Sequence, residues 1–216
     1  MRIHRACGWG GIWGPGKLIH TMAIPSLTPF RIRFDSPVTL AFVTAALFAT
    51  LTPGASALLR LDPIGPVNAV NPRWYLGLVG HALSHQNLAH LVGNGAMLLL
   101  LGPGLERLLG SGRYCAMLAA LTVLTGLSAS IVLVFTQRSL IGASGLVFAL
   151  IFVHSLRGAK RNEIPISTLL LALLWGSKEL VGLFDRSQVS NSAHLNGAFW
   201  GLLFGMYLLP SDRTRT

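Results

Sequence analysis

The sequence predicts an all-α polytopic membrane protein, a bundle of six transmembrane helices, and three observations carry that prediction. Of its 216 residues, 52% are hydrophobic and 11% charged, with a mean hydropathy of +0.60; a soluble domain is far less apolar. Six stretches approach the roughly 20 apolar residues that a helix needs to cross a hydrocarbon core about 30 Å thick. They lie at about 38–58, 86–108, 114–136, 142–157, 164–183 and 192–209, bounded by charges, Gly or Pro. Third, the cations are unevenly distributed around them. With the N-terminus inside, cytoplasmic segments hold twelve of the 17 Lys and Arg: Arg2, Arg5, Lys17, Arg31, Arg33, Arg107, Arg113, Arg157, Lys160, Arg161, Arg213 and Arg215. The opposite side holds Arg60, Arg73, Arg138 and Arg186, and Lys178 lies within the fifth span. This is the positive-inside pattern. Both termini are therefore expected in the cytoplasm, and the expected location is a bacterial inner membrane. The net charge of +10 needs no nucleic-acid partner, since no basic stretch is interleaved with aromatic residues as a stacking platform requires.

Each element follows in order. Residues 1–37, with the cluster GWGGIWGPG, lack a helical period and are expected to be a cytoplasmic arm. No secretory signal is expected in them, and Met22 is an alternative start. Residues 38–209 form the six-helix membrane domain, and 210–216 a cytoplasmic tail. Between the first two spans, LDPIGPVNAVNPRWYLGLVGHALSH is too long for a tight turn and fits an interfacial segment. The remaining connections are short except SQVSNS at 187–192, expected to be a mobile polar loop. Cys7 and Cys115 both fall on the cytoplasmic side, where thiols stay reduced, so no disulfide is expected.

A polar side chain at membrane depth is costly, so by default it faces the bundle interior and is functional. His90 and Asn94 stand four residues apart on one face of the second span. The fourth span begins with Ser144 in IGASGLVFA. The sixth begins with His194, which shares a face with Gly197, Gly201 and Gly205. Small residues at that spacing let two backbones approach closely, and Gly145 with Ala149 offers a matching surface on the fourth span. Both helices run inward, so Ser144 and His194 sit near the same outer end and a hydrogen bond between them is available. A neutral imidazole can take the proton of a serine and make it a nucleophile near pH 7. The resulting oxyanion needs donors, which His90, Asn94 and the Ser144 amide can supply. Blander readings stand beside these. GASG is also a packing motif, and it lacks the second Gly of a hydrolase elbow because Leu146 stands there. His81 and His85 fit structural hydrogen bonds, Lys178 and Glu179 fit snorkelling or pairing, and His154 fits the inner interface.

Three motifs in one order resemble those of the rhomboid intramembrane serine proteases, over most of residues 73–209. HALSHQNLAHLVGNGAMLLLLGPGLERLLGSG is similar to the family's second helix and its turn, including His90, Asn94, Glu106 and Gly110; IGASGLVFAL is similar to its Gly-x-Ser-Gly helix start; AHLNGAFWGLLFG is similar to its last helix. The resemblance implies Ser144 as nucleophile, His194 as general base, and His90 and Asn94 as oxyanion stabilisers, with no third acidic member, although sequence alone leaves Glu179 and Asp185 open. It also implies a cavity opening outward, single-span transmembrane protein substrates cut near the outer end of their helix, and the fifth helix with loop 187–192 as gate and cap; chemistry by a serine and an imidazole is expected to need no cofactor or metal. Two departures are notable. Phe148 stands where many members carry Tyr against the catalytic His, and Arg73–Trp74 reverses the family's Trp-Arg pair, putting the anchoring of the first loop in question.

Two rivals compete with a protease. A bundle holding a metal or haem through His81, His85, His90 and His194 leaves Ser144 and Asn94 unexplained, and HALSH lacks the Glu of an HExxH zinc site. A catalytically dead relative acting as a scaffold would have lost Ser144 or His194, and both are present.

Overall fold

The computed structural model describes residues 34–63, 70–157, 159, 163–182 and 188–208, the side chains at 136, 176, 178–191 and 208 excepted. Among these residues every regular element is a helix: α1 (Pro37–Leu51), α2 (Ala55–Leu59), α3 (Pro72–Gly80), α4 (Leu88–Leu109), α5 (Ser111–Thr136), α6 (Ser144–Ser155), α7 (Ile166–Gly182) and α8 (Gln188–Leu208). One isolated antiparallel bridge joins Leu61 to Leu140. Two segments, Leu88–Leu109 and Ser111–Phe135, are long and apolar enough to cross a membrane by length and composition; Pro37–Leu51, Ser144–Ser155 and Ile166–Trp175 are shorter apolar helices.

The helix ends follow local chemistry. Pro37 opens α1, where its missing N–H costs nothing. Asn71 and Asn87 cap α3 and α4, their side chains accepting from Arg73 N and His90 N. Gly110, at φ +78°, makes the sharp junction between α4 and α5. A buried carboxylate ties the helices at this end. Glu106 Oε1 accepts from Val38 N at 2.9 Å and Ser111 Oγ at 2.8 Å, while Oε2 accepts from Thr39 N at 3.0 Å and Thr39 Oγ1 at 2.9 Å. The carboxylate thus satisfies orphan N–H groups in the first turn of α1.

At the centre stands α6. Eight of its 12 residues are buried, and α4, α5, α7 and α8 all pack on it, α8 most extensively. The close approach rests on glycines. A methyl group built on Gly197 would collide with the carbonyl oxygen of Gly145, and one on Gly201 with that of Ala149. Gly205 continues the seam, where a methyl group would lie 2.7 Å from Leu156 Cδ1. Trp200 Nε1 donates to Ser128 Oγ at 2.9 Å, joining α8 to α5.

Three expected boundaries are corrected. The first span, expected over 38–58, stops at Leu51, because Pro53 and the left-handed Gly54 (φ +79°) end it before the separate short α2. The fourth, expected from 142 to 157, is only the 12 residues of α6. Residues 188–192, expected as loop, belong to α8, so His194 stands in its second turn rather than at its start. Burial overrides the polar composition there, since Ser192 and Ala193 are packed inside. The expectations for residues 1–33, including Cys7 and the alternative start at Met22, for the side chains of Lys178 and Glu179, for Asp185, and for the tail at 210–216 lie outside the described residues.

Candidate active site

The loop 137–143 delivers the chain to Ser144, and neighbours fix it on several sides. Leu140 and Leu61 exchange both backbone hydrogen bonds, at 2.8 and 3.0 Å. Gly142 N donates to His81 O at 2.9 Å, and Ala143 N lies 3.4 Å from His85 Nε2, which accepts from it. Gly142 has φ +111°, and a side chain there would begin 2.6 Å from His90 Cε1. Only glycine meets both demands. The helix begins without a side-chain cap at Ala143, so the amides of its first turn, including that of Ser144, present the positive end of the helix dipole.

From α4, the half-buried His90 presses on Gly142, and Asn94 Nδ2 stands 3.6 Å from where a side chain on Gly142 would begin. Asn94 is buried, and its Nδ2 has no hydrogen-bond acceptor among the described residues. A buried donor without an acceptor is costly, and here it borders the start of α6. From α8, the Ala193 carbonyl lies 3.1 Å from where a side chain on Gly145 would begin. The His194 ring stacks on Phe148, centroids 4.3 Å apart and planes 6° apart, while Trp175 of α7 meets Phe148 edge-on at 5.2 Å. The structure therefore brings Ser144, His90, Asn94 and His194 to one end of the bundle. His154 lies elsewhere, near Gly104 and Arg157.

His81 and His85 are buried and structural. His81 Nδ1 donates within reach of the carbonyls of Gly77 (3.2 Å) and Leu78 (3.1 Å). Burial pushes its pKa down to about 4 against the partial support of those carbonyls. Burial, then the nearby His90, pushes His85 down to about 4 as well. His85 Nε2 accepts, so its proton resides on Nδ1. Among the described residues no three His, Cys, Asp or Glu side chains gather as metal ligands. The reversed Arg73–Trp74 pair does anchor the first loop: Trp74 Nε1 donates to Asp62 O at 3.1 Å and Arg73 donates to Ala57 O at 2.5 Å. The sequence reading missed Asp62 and the acceptor role of His85; both depend on contacts with the distant loop 137–143, and no local spacing marks them.

The rhomboid domain model matches residues 72–211, more than half of the chain. The chain belongs to the rhomboid family. Rhomboid protease GlpG of Photorhabdus laumondii subsp. laumondii is 30% identical over 141 residues, covering 62% of this chain and 46% of the relative. GlpG of Pectobacterium atrosepticum is 30% identical over 142 residues, covering 62% and 48%. The rhomboid YdcA of Bacillus subtilis is 26% identical over 179 residues, covering 78% and 85%. The chain spans about half the length of these GlpG relatives. Rhomboid membership agrees with the all-helical fold and with the three motifs on α4, α6 and α8.

Proposed function

We propose that this chain is an intramembrane serine endopeptidase that cleaves single-span membrane proteins near the outer end of their transmembrane helix. Helices α1, α4, α5, α6, α7 and α8 build the membrane bundle, α6 beginning within the bilayer rather than at its outer surface, with both termini cytoplasmic. Ser144 is the nucleophile and His194 the general base. Ser144 Oγ attacks the scissile carbonyl as its proton passes to His194; the protonated imidazole then gives that proton to the departing amine. Water, deprotonated by His194, releases the acyl group. His90, Asn94 and the Ser144 amide hold the oxyanion.

The observation that carries this reading is the close approach of Gly145 to the Ala193 carbonyl. It joins the residue after the nucleophile to the residue before the base. The orphan donor of Asn94 supports the oxyanion assignment. Length supports the site's depth: 12 residues at 1.5 Å each give about 18 Å, short of a core about 30 Å thick. A helix that reaches the inner interface thus starts below the outer one.

The test is labelling of the purified full chain with a fluorophosphonate, together with cleavage of a transmembrane substrate. Ser144→Ala and His194→Ala should reduce both to background. Asn94→Ala should lower turnover by about 10², or less where His90 compensates. Cleavage retained by well-folded Ser144→Ala in detergent and lipid would refute the mechanism.

A further inference from the structure

Asp62 stands outside the set of residues above, yet four groups converge on it. Its Oδ1 accepts from Ser139 Oγ at 2.5 Å and lies 3.0 Å from Arg60 Nε; its Oδ2 lies 3.6 Å from an Arg73 guanidinium nitrogen. Its carbonyl oxygen takes the Trp74 indole. The neighbouring Leu61 is fully buried and pairs with Leu140 through two backbone hydrogen bonds. Residues 60–62 and 139–140 thus form a two-point clamp, one point polar and one main-chain. Ser139 is five residues before Ser144, with Leu140, Ile141, Gly142 and Ala143 between them.

We propose that Asp62 is a positioning residue for the nucleophile: its carboxylate, held by Arg60 and Arg73, fixes Ser139 and so sets where the Ser144 hydroxyl and amide stand. This rests on the assignment of Ser144 made above. The Arg pairs are partly exposed, so each contributes little to global stability. Their effect is geometric. Gly142 tolerates many backbone conformations in an unclamped loop, and a shift of about 1 Å at a reacting group costs up to about 10² in rate.

The experiment uses the full chain with Asp62→Ala, Asp62→Glu and Ser139→Ala. Three quantities are read: the fluorophosphonate labelling rate constant, the fraction of protein finally labelled, and kcat and KM on a transmembrane substrate. Amide exchange over residues 140–145 is measured in parallel. Asp62→Ala should lower the labelling rate constant and kcat about 10-fold, leave KM and the labelled fraction near the parent's, and speed exchange in the loop. Ser139→Ala, which removes only one hydroxyl, should act in the same direction with smaller size, and Asp62→Glu should recover part of the rate. A labelled fraction that falls while the remaining protein reacts at the parent rate would mean a purely structural role and overturn the proposal. So would an unchanged rate constant in Asp62→Ala and Ser139→Ala. A parent that neither labels nor cleaves defeats the protease reading; loop exchange unaltered by Asp62→Ala defeats the clamp itself.

Discussion

The ring of Phe148 lies parallel to the imidazole of His194, 4.3 Å between centroids. Phe148 is buried one turn after Ser144, so the stack fixes the imidazole plane relative to the helix that carries the serine. Ring contacts of this kind are worth about 0.5–1.5 kcal/mol, which corresponds to about 2- to 12-fold in rate. Phe148→Leu should therefore lower kcat several-fold, whereas Phe148→Tyr, which keeps the ring, should stay near the parent. Equal kcat in Phe148→Leu and the parent would remove the orienting role.

The glycine seam makes a second expectation. Gly201 has the Ala149 carbonyl where a side chain would go, and both flanking segments are helix backbone that cannot swing aside. Gly201→Ala should cost about 1–3 kcal/mol, seen as a lower thermal midpoint, and Gly197→Ala should behave alike while also opening the Gly145 contact. Gly93 faces open space within α4, so Gly93→Ala serves as the control and should leave the midpoint unchanged or raise it, alanine being the better helix former. Indistinguishable midpoints for all three would show that the seam can relax.

Acid should weaken the fold through the buried imidazoles. In the folded chain His81 and His85 titrate near 4, whereas in the unfolded chain an imidazole titrates near 6.5. Between those values the unfolded state binds more protons, so stability is full above about pH 6.5 and falls as pH drops towards 4. Protonation of His85 at Nε2 also turns the acceptor of the Ala143 amide into a donor. The thermal midpoint should decline over this window, and the slope should flatten in His85→Gln. A level parent profile from about pH 7 to 4.5 would contradict the assignment.

Membrane orientation is open to direct measurement. Single-cysteine variants in a Cys-free background, at Ala159 beside Lys160 and at Gln137 beside Arg138, should react with an impermeant maleimide from the cytoplasmic and the outer side respectively. The reverse pattern would move the Ser144 end to the cytoplasm and overturn the topology proposed from the Lys and Arg distribution.

The sequence made α4 and α5 legible because each is a long apolar run ended by a glycine or a polar turn. The Ser144–His194 end was legible because polar side chains at membrane depth are rare enough to stand out, and the glycine spacing of α8 identified its partner helix. What it hid was set by tertiary contact. Nothing local distinguishes Ser190 or Asn191 in a loop from the same residues in a helical turn continuing into buried Ala193. Asp62 and Ser139 are 77 positions apart, so their pairing has no periodic signature. The reversed Arg73–Trp74 pair looked like a defect in the first loop; in the structure both residues still reach it, because Asn71 and Pro72 start a helix that sets their directions.

The carboxylate of Glu106 bears on how small a self-sufficient version of this molecule can be. The family match begins at residue 72, leaving α1 outside it, and no candidate for the chemistry sits on α1. Yet three of the four donors that Glu106 receives come from Val38 and Thr39. A fragment trimmed to the matched boundaries would keep the acid in its apolar surroundings and discard most of what satisfies it, the costliest way to break such a cluster. We therefore expect the autonomous folding unit to extend back to about residue 36, with α1 an integral wall of the domain although the family match begins only at residue 72. A split protein made of two separately expressed halves, divided between α2 and α3, should reassemble through this acid, whereas the second half alone should not accumulate.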